Sequence, residues 1–86
     1  MKLKYSDYFK KRLQQRLTKN PILKTKINKQ LNFLQKNLRH PSLKTHRLKG
    51  SRAEEYAIWI EGNLRITFII ADEVFLFTDF ITHDEY

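Results

Sequence analysis

Three histidines, one isolated arginine and a basic loop are the chemically active material of this 86-residue chain. His40, His46 and His83 lie far apart, with no His-x-x-x-His or His-Glu-x-x-His pair, and that spacing argues against a metal site. Ser6, Ser42 and Ser51 sit in no nucleophile-elbow context. There is no cysteine, which excludes thiolate nucleophiles and Cys-type zinc sites, and two glycines do not make a phosphate-cradling loop. What is on offer is positive charge and imidazole. Leu43 to Arg52 carries Lys44, His46, Arg47, Lys49 and Arg52, a cluster suited to phosphates. Arg65 is the only cation of residues 53–86. It has two readings: a cross-strand ion pair with Glu61 or Asp79, or a guanidinium fork aimed at a phosphate. His83 is a titrating group near neutral pH or inert surface. Trp59 stacks a base, packs in a core, or meets a partner.

The elements that must position these residues follow from periodicity. Met1, Leu3 and Tyr5 alternate with Lys2 and Lys4, which predicts a short strand. Ser6 and Asp7 are both good N-caps. Phe9, Leu13 and Leu17 recur every four residues among Lys10, Lys11, Arg12 and Arg16, which predicts a basic amphipathic helix. Asn20-Pro21 is expected to end it and open a second helix, with Asn as cap and Pro first. Leu23, Ile27, Leu31, Leu34 and Leu38 form the stripe of that helix. His40-Pro41-Ser42 stops it, and Leu43 to Arg52, with no clean period, reads as an ordered polar loop. The remainder reads as strands: Tyr56 to Ile60, Leu64 to Ile70 and Val74 to Ile81, with turns at Glu61-Gly62-Asn63 and Ala71-Asp72-Glu73. The expected architecture is α+β in the order β-α-α-β-β-β, a helical hairpin on one face of a mainly antiparallel sheet, as one domain over residues 1–86. Leu64, Ile66 and Phe68 should face the helices, so Arg65 and, by the same parity, Trp59 should stand on the open face.

Charge is divided along the chain. Residues 1–52 hold sixteen Lys and Arg against one acid, Asp7; residues 53–86 hold eight acids against Arg65; the net formal charge is +8. Such a division points to a polyanion or an acidic partner. Taken singly, the helix lysines read as a solvated face, whereas a basic loop at the edge of a rigid sheet is a usual place for function. The length allows one thin core and excludes large nucleotide-binding or barrel enzymes. No stretch approaches the roughly 18 apolar residues of a membrane helix. Met1-Lys2-Leu3-Lys4 has no apolar run behind it, which predicts no signal peptide and a cytoplasmic protein.

These residues together resemble the RelE/ParE superfamily of bacterial type II toxins, and within it the RelE/StbE and YafQ-like mRNA interferases. The resemblance spans nearly the whole chain. It rests on His40-Pro41-Ser42-Leu43-Lys44-Thr45-His46-Arg47-Leu48-Lys49-Gly50, then Tyr56 opening a strand, then Leu64-Arg65-Ile66-Thr67-Phe68, and the ending Thr82-His83-Asp84-Glu85-Tyr86. It implies a ribosome-dependent endoribonuclease that cuts mRNA in the ribosomal A site without a metal or other cofactor, the 2′-hydroxyl attacking its neighbouring phosphate. It also implies a cognate antitoxin that wraps the toxin in a hetero-oligomeric complex. By this resemblance His46, Arg65 and His83 are the catalytic set: His83 matches a catalytic His or Arg position after the last strand, His46 a loop histidine, and Arg65 a strand arginine on the scissile phosphate. Lys44, Arg47, Lys49, Arg52, Trp59 and Tyr86 are the expected RNA contacts, Tyr86 as a stacking aromatic.

The chain departs from the family pattern before the first hairpin turn. Ala57 and Trp59 stand where relatives carry lysines or a histidine, and Asn63 where an aspartate is found. One proton carrier is thereby unassigned, with Asp84, Glu61, Glu54 and Glu55 as candidates. Two alternatives share the fold: a ParE-like inhibitor of DNA gyrase, and a catalytically weak member that acts through its antitoxin. The net positive first half predicts an acidic or amphipathic antitoxin segment lying over it.

Overall fold

The computed structural model describes residues 1–82; the expectations for His83, Asp84 and Tyr86 lie outside them. Two helices cover one face of a five-stranded sheet. The elements are β1 (Lys2–Tyr5), α1 (Asp7–Lys19), α2 (Leu23–Lys36), β2 (His46–Arg47), β3 (Tyr56–Glu61), β4 (Leu64–Ala71) and β5 (Val74–Thr82). The sheet order is β1-β5-β4-β3-β2. β1 runs parallel to β5, and the other pairings are antiparallel.

Local chemistry explains most boundaries. The Ser6 hydroxyl accepts the Phe9 N–H at 3.0 Å, and Asp7 places an anion in the first turn of α1, where the helix dipole favours it. Asn20 does not cap α2 as expected. Its backbone N–H closes α1 on the Arg16 carbonyl, and Pro21-Ile22 form a tight turn before α2 starts at Leu23. The β4–β5 hairpin closes through Asp72 and Glu73, both at positive φ, the geometry that matches the twist of flanking strands.

The core lies between helices and sheet. Phe9, Leu23, Ile27, Leu31 and Leu34 from the helices meet Ile58, Ile60, Leu64, Ile66, Phe68, Phe75, Phe77 and Phe80 from the strands. Phe77 and Phe80 are three residues apart, so a regular strand would send one of them to the opposite face. A bulge between the Thr67–Asp79 and Phe68–Phe77 pairs corrects the parity. Arg12 of α1 ties it down: its Nε lies 3.3 Å from Asp79 Oδ1 and its Nη2 donates to the Phe80 carbonyl at 3.1 Å. Asp79 Oδ1 also accepts the Phe80 N–H at 2.7 Å. Burying a phenylalanine contributes roughly 1.5–3 kcal/mol, so the bulge keeps a substantial part of the core in place.

The expected polar loop contains a strand. His46 and Arg47 pair with Ala57 and Tyr56, between short 3-10 helices at Pro41–Leu43 and Gly50–Arg52. Leu48 is the anchor. It is buried against Ala57 and Ile81 in a second apolar cluster on the face away from the helices, and its N–H bonds to the Glu55 carbonyl.

Candidate functional site

The open face is crossed by a row of side chains near the β3–β4 turn. Trp59 of β3 and Arg65 of β4 are Cα partners, and Ile81 of β5 continues the row on the far side of Arg65. The turn between them uses Gly62 at φ 48°, a conformation that glycine adopts at low steric cost. Its carbonyl accepts both the Trp59 indole N–H at 2.9 Å and an Arg65 Nη1–H at 3.3 Å. Arg65 is half-buried, its second contact is a 3.4 Å bond to the Leu64 carbonyl, and its Nε is buried with no hydrogen-bond partner. Both expected ion-pair partners are engaged elsewhere: Glu61 with Lys26 at 2.7 Å, Asp79 with Arg12. Among the described residues no carboxylate neutralises Arg65.

Lys44 completes the row. It follows the Pro41–Leu43 turn with φ 48° and ψ 45°, a left-handed conformation that costs a non-glycine residue about 1 kcal/mol. That geometry lays its ammonium over the Trp59 ring, 4.8 Å from the centroid. His46 shares the open face, because its Cα partner Ala57 is flanked by Thr67 on β4. Strand spacing puts the His46 and Arg65 backbones roughly 12 Å apart across β3. His46 Nδ1 lies 3.1 Å from the Lys44 carbonyl. That contact places a proton on Nδ1.

The other basic residues of the loop separate. Arg47 points to the helix side, with its guanidinium over the Tyr56 ring at 5.4 Å and Nε and Nη2 donating to the Ala53 carbonyl. Arg52 forks Glu55 at 2.6 and 3.1 Å, and Lys49 is exposed. Thr78 donates to Glu55 at 2.7 Å and lies 2.7 Å from Thr67. These bonds, Arg52 first, hold the Glu55 carboxyl below the usual carboxylate range. Of the carboxylates considered as proton carriers, Glu55 and Glu61 are thus tied in ion pairs, and Glu54 is exposed beside the Gly50–Arg52 turn.

One positioning residue escaped the sequence. Gln30, buried in α2, donates from Nε2 to the Ser42 carbonyl at 3.0 Å and the Trp59 carbonyl at 2.8 Å. It joins the helix, the turn that launches Lys44 and the strand that carries Trp59. The available signal was a lone amide on the apolar stripe, flanked by Ile27, Leu31 and Leu34.

Comparison with known proteins places this geometry on a known scaffold. No family model and no curated protein sequence matches the chain. Solved structures do. A YoeB/ParE toxin from Agrobacterium tumefaciens superposes with a TM-score of 0.81 at 16% identity, over 96% of this chain and 99% of that one. YafQ from E. coli strain BL21(DE3) gives 0.78 at 21% identity, over 96% and 93%. A chain of the YoeB–YefM complex from Staphylococcus aureus gives 0.79 at 18% identity, over 96% and 97%. The chain has the fold of the YoeB and YafQ toxins.

Proposed function

We propose that this chain is the toxin of a type II toxin–antitoxin pair and an endoribonuclease that cleaves mRNA on the ribosome, in the cytoplasm. The carrying observation is Arg65: a half-buried guanidinium, uncompensated by any described carboxylate, on an open sheet face with Trp59, Lys44 and His46. A site that leaves a cation in that state is built for a ligand anion. The fold it shares with YoeB and YafQ supports the toxin reading, and YoeB is found in complex with YefM, which supports an antitoxin partner.

The chemistry follows from the side chains. The 2′-oxygen attacks the adjacent phosphorus, and the P–O5′ bond to the next nucleotide breaks. The 2′-hydroxyl proton leaves to a base, assigned to His46, and the departing 5′-oxygen takes a proton from an acid, assigned to His83. Arg65 holds the added negative charge of the phosphorane, an interaction stronger in the transition state than in the ground state. Trp59 and Tyr86 hold the unstacked bases. Lys44, Arg47, Lys49 and Arg52 extend the positive surface, with Arg52 reaching RNA only by exchanging its bond to Glu55.

The test is expression without antitoxin. Wild type is expected to arrest growth and fragment mRNA, and Arg65→Gln to lower cleavage by about 10²–10³-fold. Intact mRNA during arrest would sink the nuclease; a DNA-damage response alongside intact mRNA would favour the gyrase-directed alternative.

A further inference from the structure

The strip that starts at Arg65 does not end at Lys44. Beyond it, along the edge strand β2, lies a cleft of about 540 Å³, within the range of small-ligand sites. Arg39, His40, Lys44, His46, Arg47 and Tyr56 supply its polar and aromatic walls, and among the described residues no carboxylate lines it. We propose that this cleft is a second nucleotide subsite, which takes the base and phosphate of a single-stranded RNA residue flanking the one held at Arg65. This rests on the RNA-directed reading above and adds where the strand goes next.

Three observations carry it. The cleft concentrates cations: Arg39, Lys44 and Arg47 line it, and among the described residues no anion does. It also holds a rigid planar platform. Arg47 lies over Tyr56, and its guanidinium is fixed by two bonds to the Ala53 carbonyl, leaving the Nη1 hydrogens for a ligand. Tyr56 is stacked in turn on Phe68 of the core, at 5.7 Å and 16°. A braced guanidinium–aromatic pair is the surface on which unstacked bases settle, whereas an acidic peptide would need the charges alone. The opposite wall is equally set. His40 lies flat on Phe33, with centroids 3.9 Å apart at 11°, and its Nδ1 accepts the Ser42 N–H at 3.2 Å. The neutral ring therefore carries its proton on Nε2, as a donor.

Continuity with the Arg65 row comes from Lys44. Its side chain lines the cleft and its ammonium lies over Trp59, the Cα partner of Arg65. One lysine thus spans two adjoining positions, as a strand of successive phosphates requires.

The experiment uses the whole chain and 2′-O-methyl RNA hexanucleotides, which lack the attacking hydroxyl and stay intact. Amides of residues 39–47 and Tyr56 should shift in heteronuclear NMR titrations. Arg39→Gln and, independently, Tyr56→Leu should weaken the hexanucleotide about fivefold to tenfold, and Arg39→Gln should flatten the salt dependence by about one unit of slope. In cleavage assays Arg39→Gln should raise KM and leave kcat in place. Wild-type affinity in both variants, or still cleft amides, would overturn the subsite. So would an acidic peptide that shifts those amides where RNA does not. The two readings separate cleanly. Cut mRNA with indifferent cleft variants removes the subsite and keeps the nuclease. Uncut mRNA with cleft-dependent oligonucleotide binding removes the nuclease and keeps the subsite.

Discussion

Arg65 is stabilised poorly by its own protein, as the proposed anion-binding role would require. Its two hydrogen bonds are long, at 3.3 and 3.4 Å, and its Nε is buried and unpaired. An unsatisfied buried donor costs about 1–3 kcal/mol. Replacing the side chain with a shorter apolar one removes the orphaned donor and suits the neighbouring Trp59 and Ile81. Arg65→Leu is therefore expected to be at least as stable as wild type, by up to about 1 kcal/mol, a rise of roughly 4–8 °C in Tm for a chain of this size. Cleavage should nevertheless fall by about 10²–10³-fold. Thermal unfolding and cleavage of the same preparation decide it: a Tm lowered by several degrees would make Arg65 a structural residue and its lost activity uninformative. Lys44 carries the same signature at lower cost, a left-handed backbone retained where its ammonium meets Trp59.

At the scale of elements, the site depends on one amide. Gln30 bonds α2 to the Ser42 turn and to the β3 backbone at once, while Lys26 joins α2 to β3 only through the Glu61 side chain. Gln30→Leu fits the apolar stripe but strips the donor from two carbonyls at once. The expected loss is about 2–3 kcal/mol, or a Tm drop of at least about 10 °C, seen in chemical and thermal denaturation. Gln30→Glu keeps one oxygen acceptor but no donor at neutral pH, so it should be no better; unchanged stability in both variants would show that the carbonyls find other donors. The helices were legible because Phe9, Leu13 and Leu17, then Leu23, Ile27, Leu31 and Leu34, carry the helical spacing locally, and strand parity put Arg65 and Trp59 on the open face. β2 was not, because its anchor Leu48 is a single apolar residue whose partners, Ala57 and Ile81, come from two other strands. The bulge was half legible: Phe75, Phe77 and Phe80 break the period of two, while the Arg12 bond that holds the kink comes from 67 residues earlier in the chain. In the site, the residue types were readable and their separation was not. Only folding shows that Lys44 joins Trp59 and Arg65 while Arg47 turns to the other side of β2 and Arg52 is taken by Glu55.

Over the whole molecule, folding brings the two oppositely charged halves of the sequence together. Each ion pair among the described residues joins a cation of residues 1–52 to an acid of residues 53–86: Arg12 to Asp79, Lys26 to Glu61, Arg52 to Glu55. Partly exposed pairs of this kind contribute little, typically 0–1 kcal/mol, and salt weakens them. What they leave is a net +8, with the surplus cations on the helices and around the cleft beside β2. Two opposite salt responses follow. Self-repulsion among the surplus cations destabilises the folded chain, and screening relieves it as the Debye length shrinks from about 10 Å at 0.1 M to about 3 Å at 1 M. The same screening should weaken the proposed RNA contacts. Four or five phosphate contacts on a single strand give a slope near −3 in log affinity against log salt, a loss of roughly sixtyfold between 50 and 200 mM. Raising salt over that range should therefore increase Tm while it releases RNA, with an acidic partner segment released in the same direction. Thermal scans and fluorescence anisotropy on one buffer series measure both. A Tm that falls with salt would mean that the three ion pairs outweigh the surplus charge, and an affinity indifferent to salt would remove the phosphate contacts on which both the proposed cleavage site and the proposed subsite depend.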